Sequence, residues 1–162
     1  MGHTEGMGVR RVLHTAVSTP DLDRAVAFWT RLGFTEVRRW EWPAGTAPVD
    51  ALLGVEGSAA RAALLEGHGT GVELFEFASP AQPDGPPGAP AVHRHGYTHL
   101  AFEVDDLDEE LARLAVVGLG TWSAPVTDPS GRRLVYARDP DGNVIELVQP
   151  APGVRARTSA AP

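Results

Sequence analysis

Apolar and polar positions alternate with period two from Val12 to Ser18, which places His14, Ala16 and Ser18 on one face of a predicted strand. The same alternation returns over Thr98 to Val104 and aligns His99, Ala101 and Glu103. Behind each strand the period changes to that of a helix. After Asp21 the apolar residues Leu22, Ala25, Val26, Trp29 and Leu32 share one stripe, with acidic residues in the first turn and Gly33 as the stop. After Asp106 the stripe recurs in Leu107, Leu111, Leu114 and Ala115, and Gly118 ends it. Further strands are expected at Phe34 to Trp42, Ala60 to Leu65 and Gly71 to Ala78, with a short helix near Val49 to Leu53. A second set falls at Gly120 to Ser123, Arg133 to Arg138 and Asn143 to Gln149, the last two joined by the turn Asp139-Pro140-Asp141-Gly142-Asn143.

These two sets are one pattern written twice. His14 aligns with His99, Asp21-Leu22-Asp23 with Asp106-Leu107-Asp108, Gly33 with Gly118, and Val72-Glu73-Leu74 with Ile145-Glu146-Leu147. Loop lengths differ between the halves, because His14 and Glu73 stand farther apart in the chain than His99 and Glu146. The expected class is α+β, built from two βαβββ modules. Residues 10–78 form the first and 97–150 the second, joined by a Pro/Gly-rich linker at 79–96. Residues 1–9 and 151–162 read as flexible ends.

Composition narrows the chemistry. The 162 residues are enough for one domain, or for two small modules that share a core. No apolar run is long enough to span a bilayer, and the first residues carry no secretory signal, so a cytoplasmic protein without a membrane segment is expected. Zero cysteines exclude thiolate ligands and nucleophiles and leave His, Asp and Glu as the strong metal donors. A net charge of −7 argues against nucleic acid as partner, and because all 14 basic residues are arginine, lysine Schiff-base chemistry is excluded.

Two modules related by a pseudo-twofold axis can each deliver one His from the first strand and one Glu from the last to a shared point. The candidate donors are therefore His14, Glu73, His99 and Glu146. Carboxylates set among apolar neighbours need a compensating cation, either a metal or an arginine such as Arg133. Imidazole and carboxylate suit one divalent ion of Zn, Ni, Co, Fe or Mn, with room in the shell for substrate oxygens. Glu103 shares the His99 face and is either a supporting or catalytic carboxylate or an arginine-paired structural one. Glu76, opposite to Glu73, is expected in solvent, as are His3, His68, His93 and His95. Phe28 and Trp29 are expected to pack the first helix on its sheet, whereas Trp40 and Trp42 either line a pocket or simply pack.

The segments "VLHTAVSTPDLDRAVAFWTRLGF", "GVELFEF", "YTHLAFEVDDLD" and "DPDGNVIELVQ" resemble the vicinal oxygen chelate (glyoxalase / bleomycin resistance / extradiol dioxygenase) superfamily over residues 10–150. The resemblance implies curved mixed sheets around a metal site, with these four residues as ligands and a small-molecule substrate that presents neighbouring oxygens. It implies stabilisation of an enediolate by the ion while Glu146 or Glu73 moves a proton next to a carbonyl. The presence of Glu73 favours the glyoxalase-like lyase, isomerase and epimerase branch over iron-dependent ring-cleaving dioxygenases, which use two His and one Glu. A metal-free drug-binding resistance protein is the alternative of another class. A homodimer is expected, with the modules paired either within one chain or between two.

Overall fold

The computed structural model describes residues 9–82, 93 and 95–154. His3, both extreme ends and most of the linker lie outside these residues. The elements in chain order are β1 (His14–Ser18), α1 (Leu22–Arg31), β2 (Thr35–Trp42), α2 (Ala47–Leu53), β3 (Ala59–Gly67) and β4 (Thr70–Ser79). They continue as β5 (Leu100–Glu103), α3 (Leu107–Ala115), β6 (Gly120–Thr121), β7 (Val126–Thr127), β8 (Arg133–Arg138) and β9 (Val144–Gln149). The second half thus adds a two-residue strand, β7, to the expected pattern.

Both long helices start as the sequence predicts. The Asp21 carboxylate accepts the Arg24 N–H at 3.0 Å, and Asp106 accepts the N–H groups of Asp108 and Glu109. The apolar stripe of α1 buries Leu22, Ala25, Phe28 and Trp29. Gly33 then takes a positive φ of 94° that ends the helix.

The first sheet has the order β1-β4-β3-β2 and the second β5-β9-β8-β6, with β7 paired to β8. In each, the opening strand runs parallel to the closing one and the remaining pairs are antiparallel. One irregularity reorients half of β2. Glu36 pairs with Leu65 and Arg38 with Leu64, so Val37 is an extra residue in the strand. Such a bulge reverses the faces of everything beyond it. Arg39 consequently turns toward α1 and meets Asp23 at 2.6 Å, while Arg38, Trp40 and Trp42 turn to the other face.

One core joins the halves. Trp29 and Phe34 from the first meet Phe102 of β5 at ring distances of 6.3 and 6.2 Å, within a cluster that also holds Leu107, Leu114 and Leu147. The turn between β8 and β9 reaches back across this junction. Its Asp141 is buried, accepts the Thr19 hydroxyl at 2.5 Å and pairs with Arg24. Asp139 of the same turn is buried as well, and that burial pushes its carboxyl above the usual range.

One expectation about individual side chains is refined and one is corrected. His68 is an exposed turn residue, as expected, but it is also anchored: its Nε2 donates to the Leu32 carbonyl at 2.8 Å, and its ring packs edge-on against Phe34 at 5.1 Å. Glu76 does lie opposite Glu73, but it accepts the Leu22 N–H at 2.7 Å and the Arg61 guanidinium at 2.6 Å, so it ties the start of α1 to its sheet.

Candidate functional site

Parallel pairing of β1 with β4 sets His14 opposite Gly71 and Ala16 opposite Glu73. His14 and Glu73 therefore lie on one face two residues apart along the strands. A side chain at position 71 would obstruct this: a Cβ there would stand 3.0 Å from the Leu13 carbonyl oxygen and 3.1 Å from the His14 Cβ. With glycine in place, His14 Nε2 comes within 3.3 Å of Glu73 Oε2.

The second sheet repeats the arrangement. Ala101 pairs with Glu146, and His99, immediately before β5, brings its Nε2 to 3.3 Å from Glu146 Oε2. Thr98 Oγ1 lies 2.9 Å from His99 Nδ1, and the Tyr136 ring, directly across from Glu146, lies 5.0 Å from the imidazole. Arg133 is not the partner of Glu146; it makes a two-pronged pair with Asp108 at 2.8 and 2.9 Å.

Ligands placed at right angles around an ion at roughly 2.1 Å stand about 3 Å apart. Each His–Glu pair has the spacing and donor chemistry for two such positions, and all four side chains are only partly buried. The two pairs do not meet within one chain. Among the described residues no cluster of three or more His, Cys, Asp or Glu forms. Each pair offers two donors of the kind a divalent ion takes.

The surroundings follow from register. One row across the first sheet reads Ala16, Glu73, Leu64, Arg38, and the next reads Ser18, Phe75, Ala62, Trp40. A third joins Phe77, Ala60 and Trp42. Trp42 packs on Phe75 and Phe77 at 5.9 and 6.1 Å, and α2 adds Val49 and Leu53. In the second sheet Tyr136 stands where Leu64 stands in the first, with Trp122 beside it at 5.8 Å. Glu103 is exposed and lines a separate cleft of about 1010 Å³ at the junction of the halves, with Arg31, His68 and Arg113. That cleft touches neither His–Glu pair. His93 and His95 are exposed, as expected.

Thr98, Tyr136, Gly71 and Arg38 do not stand out in the sequence. Each becomes visible only once strand register is known, and none carries a local motif.

Comparison with known proteins agrees with this fold. A family profile described as the Glyoxalase/Bleomycin resistance protein/Dioxygenase superfamily matches residues 11–147. A 2-epi-5-epi-valiolone epimerase from Actinomyces sp is 35% identical, covering 87% of this chain and 80% of its own. Lactoylglutathione lyase from Salmonella typhimurium is 27% identical, over 86% of this chain and 92% of its own. In fold, a crystal structure of a glyoxalase family protein from Bacillus cereus superposes with a TM-score of 0.79 at 21% identity, over 93% of this chain and 99% of that one.

Proposed function

The chain belongs to the glyoxalase/bleomycin resistance protein/dioxygenase superfamily, and from that premise we propose that it is a divalent-metal-dependent enzyme moving a proton next to a carbonyl, as an epimerase, isomerase or lyase. The observation that carries the reading is the pair of matched His–Glu contacts, both at 3.3 Å, at equivalent places in a repeat. His14, Glu73, His99 and Glu146 are the residues that would hold the ion. When bound, the ion would polarise the substrate carbonyl and favour negative charge on its oxygen. Glu146 or Glu73 takes the proton from the neighbouring carbon and returns it, and the aromatic and aliphatic side chains around each pair exclude water.

The complete shell forms between two copies of the chain. His14 and Glu73 of one protomer face His99 and Glu146 of its partner, giving a homodimer with two equivalent sites. Two features support this: each chain carries its pairs apart, and Val12, Leu13 and Tyr97, which flank the two histidines, are exposed large apolar residues.

Elemental analysis and complementation test both steps. One metal per chain is expected, falling by at least half in either the His14→Ala or the Glu146→Gln protein. Mixing His14→Ala chains with His99→Ala chains should restore one intact set per heterodimer. Full metal content in His14→Ala overturns the ligand set, and absence of complementation overturns sharing between chains. Metal-free protein that binds aromatic ligands would instead favour sequestration.

A further inference from the structure

The row that holds Glu73 ends, two strands away, in a cation. Arg38 is the only charged residue on the ligand face of β2, and among the described residues no carboxylate pairs with it. The neighbouring arginines are engaged: Arg39 by Asp23 and Glu36, Arg61 by Glu76 and Asp23. The Arg38 guanidinium lies over Trp40, its carbon 4.8 Å from the ring centroid. Stacking of this kind holds the plane in place and leaves its edge N–H donors free. Two strand spacings put Arg38 about 10 Å from Glu73 along the sheet, and the floor between them is Leu64 with Ala62 beside it. The bulge at Val37 is what aims Arg38 this way. Without it Arg38 would sit on the helix side of the sheet.

We propose that Arg38, seated on Trp40, binds an anionic oxyacid terminus of the substrate, so that the ligand carries its neighbouring oxygens at one end, a compact apolar or ring-like middle, and a carboxylate or phosphate at the other. Only the first of these ends rests on the metal-site reading given under the proposed function. A guanidinium offers two parallel donors to either oxyacid, and a charge-assisted pair contributes enough for about a tenfold gain in affinity.

The test uses two probes of equal chain length, 2-oxoadipate and 2-oxohexanoate. They present the same neighbouring oxygens and differ in a terminal carboxylate. Calorimetric titration of nickel-loaded full-length protein should show 2-oxoadipate bound at least roughly tenfold more tightly. Arg38→Gln should bring the two acids within about twofold of each other while 2-oxohexanoate binding and nickel content stay unchanged, and Arg38→Lys should retain part of the difference. Inorganic phosphate that displaces 2-oxoadipate from the parent but not from Arg38→Gln extends the site to phosphate ends; failure to displace confines it to carboxylates. Equal binding of the two acids by the parent, no 2-oxoadipate binding below about 10 mM, or equal weakening of both acids in Arg38→Gln overturns the proposal. A preference for 2-oxoadipate that survives removal of metal by EDTA keeps the Arg38 site and rejects the metal reading, so the two failures are distinct.

Discussion

At the scale of single residues, His99 is held from two sides, by the Thr98 hydroxyl at Nδ1 and by the Tyr136 ring, whereas His14 depends on the space left by Gly71. Hydrogen bonds to the far nitrogen of a ligating imidazole fix its orientation, and their loss lowers metal affinity by about 10- to 100-fold. Thr98→Val should therefore weaken metal binding by at least about tenfold in a chelator competition, with circular dichroism unchanged. Gly71→Ala should do the same on the other sheet, since a Cβ there would crowd the His14 Cβ at 3.1 Å. A variant of either kind with parental affinity would show that the contact does no positioning. The two His–Glu sets were legible in the sequence because the repeat duplicates them. Their supports were not, because Tyr136 and Gly71 reach the two histidines through strand pairing. The anchor of the exposed His68 was hidden for a similar reason: its partner, the Leu32 carbonyl, lies 36 positions away in the chain.

At the scale of elements, the helices and most strands could be read from period and caps, but the outlook of β2 could not. Plain alternation puts Glu36, Arg38, Trp40 and Trp42 on one face, and nothing in Val37 announces a bulge. The link between α2 and the sheet was equally hidden. Trp42 Nε1 donates to Ser58 Oγ at 3.0 Å, and the Ser58 hydroxyl donates to Asp50 at 2.6 Å. This hydroxyl, with the N–H groups of Gly57 and Ser58, holds the Asp50 carboxyl below its ordinary value of 3.8. A depressed carboxylate contributes stability that is complete above the unfolded value and lost as pH falls through the folded one. Trp42 fluorescence should accordingly be steady down to about pH 4 and change below it. Asp50→Asn, which has no proton to gain in this range, should abolish that change; an unaltered acid transition in Asp50→Asn would rule Asp50 out as its origin. The turn from Asp139 to Asn143 was recognised as a turn, yet its grip on α1 was not. Asp141→Ala should cost about 2 to 3 kcal/mol in denaturant unfolding, because it removes a buried acceptor with two partners. Arg24→Ala, at a half-exposed position, should cost less than about 1 kcal/mol. Equal costs would show that the Thr19 contact contributes nothing.

For the whole molecule, family, fold class and the repeat were legible in the chain, whereas the separation of the two His–Glu pairs within one protomer was not. The choice depends on how the halves pack, and that is settled by scattered contacts such as Phe102 on Trp29 and Asp141 on Thr19. If the site is completed by a second copy, metal and dimer should be lost together on dilution. Light scattering and metal content followed over the same concentration series should give one midpoint; a monomer that retains stoichiometric metal would contradict the shared site. The common core has a further consequence for covalent continuity. The contacts that join the halves, from the aromatic contacts of Phe102 to the buried Asp141, lie outside residues 83–92. A protease cut in that stretch should yield two bands on a denaturing gel and one unchanged peak on a sizing column, the fragments behaving as partners of a non-covalent complex whose peptide link has become dispensable.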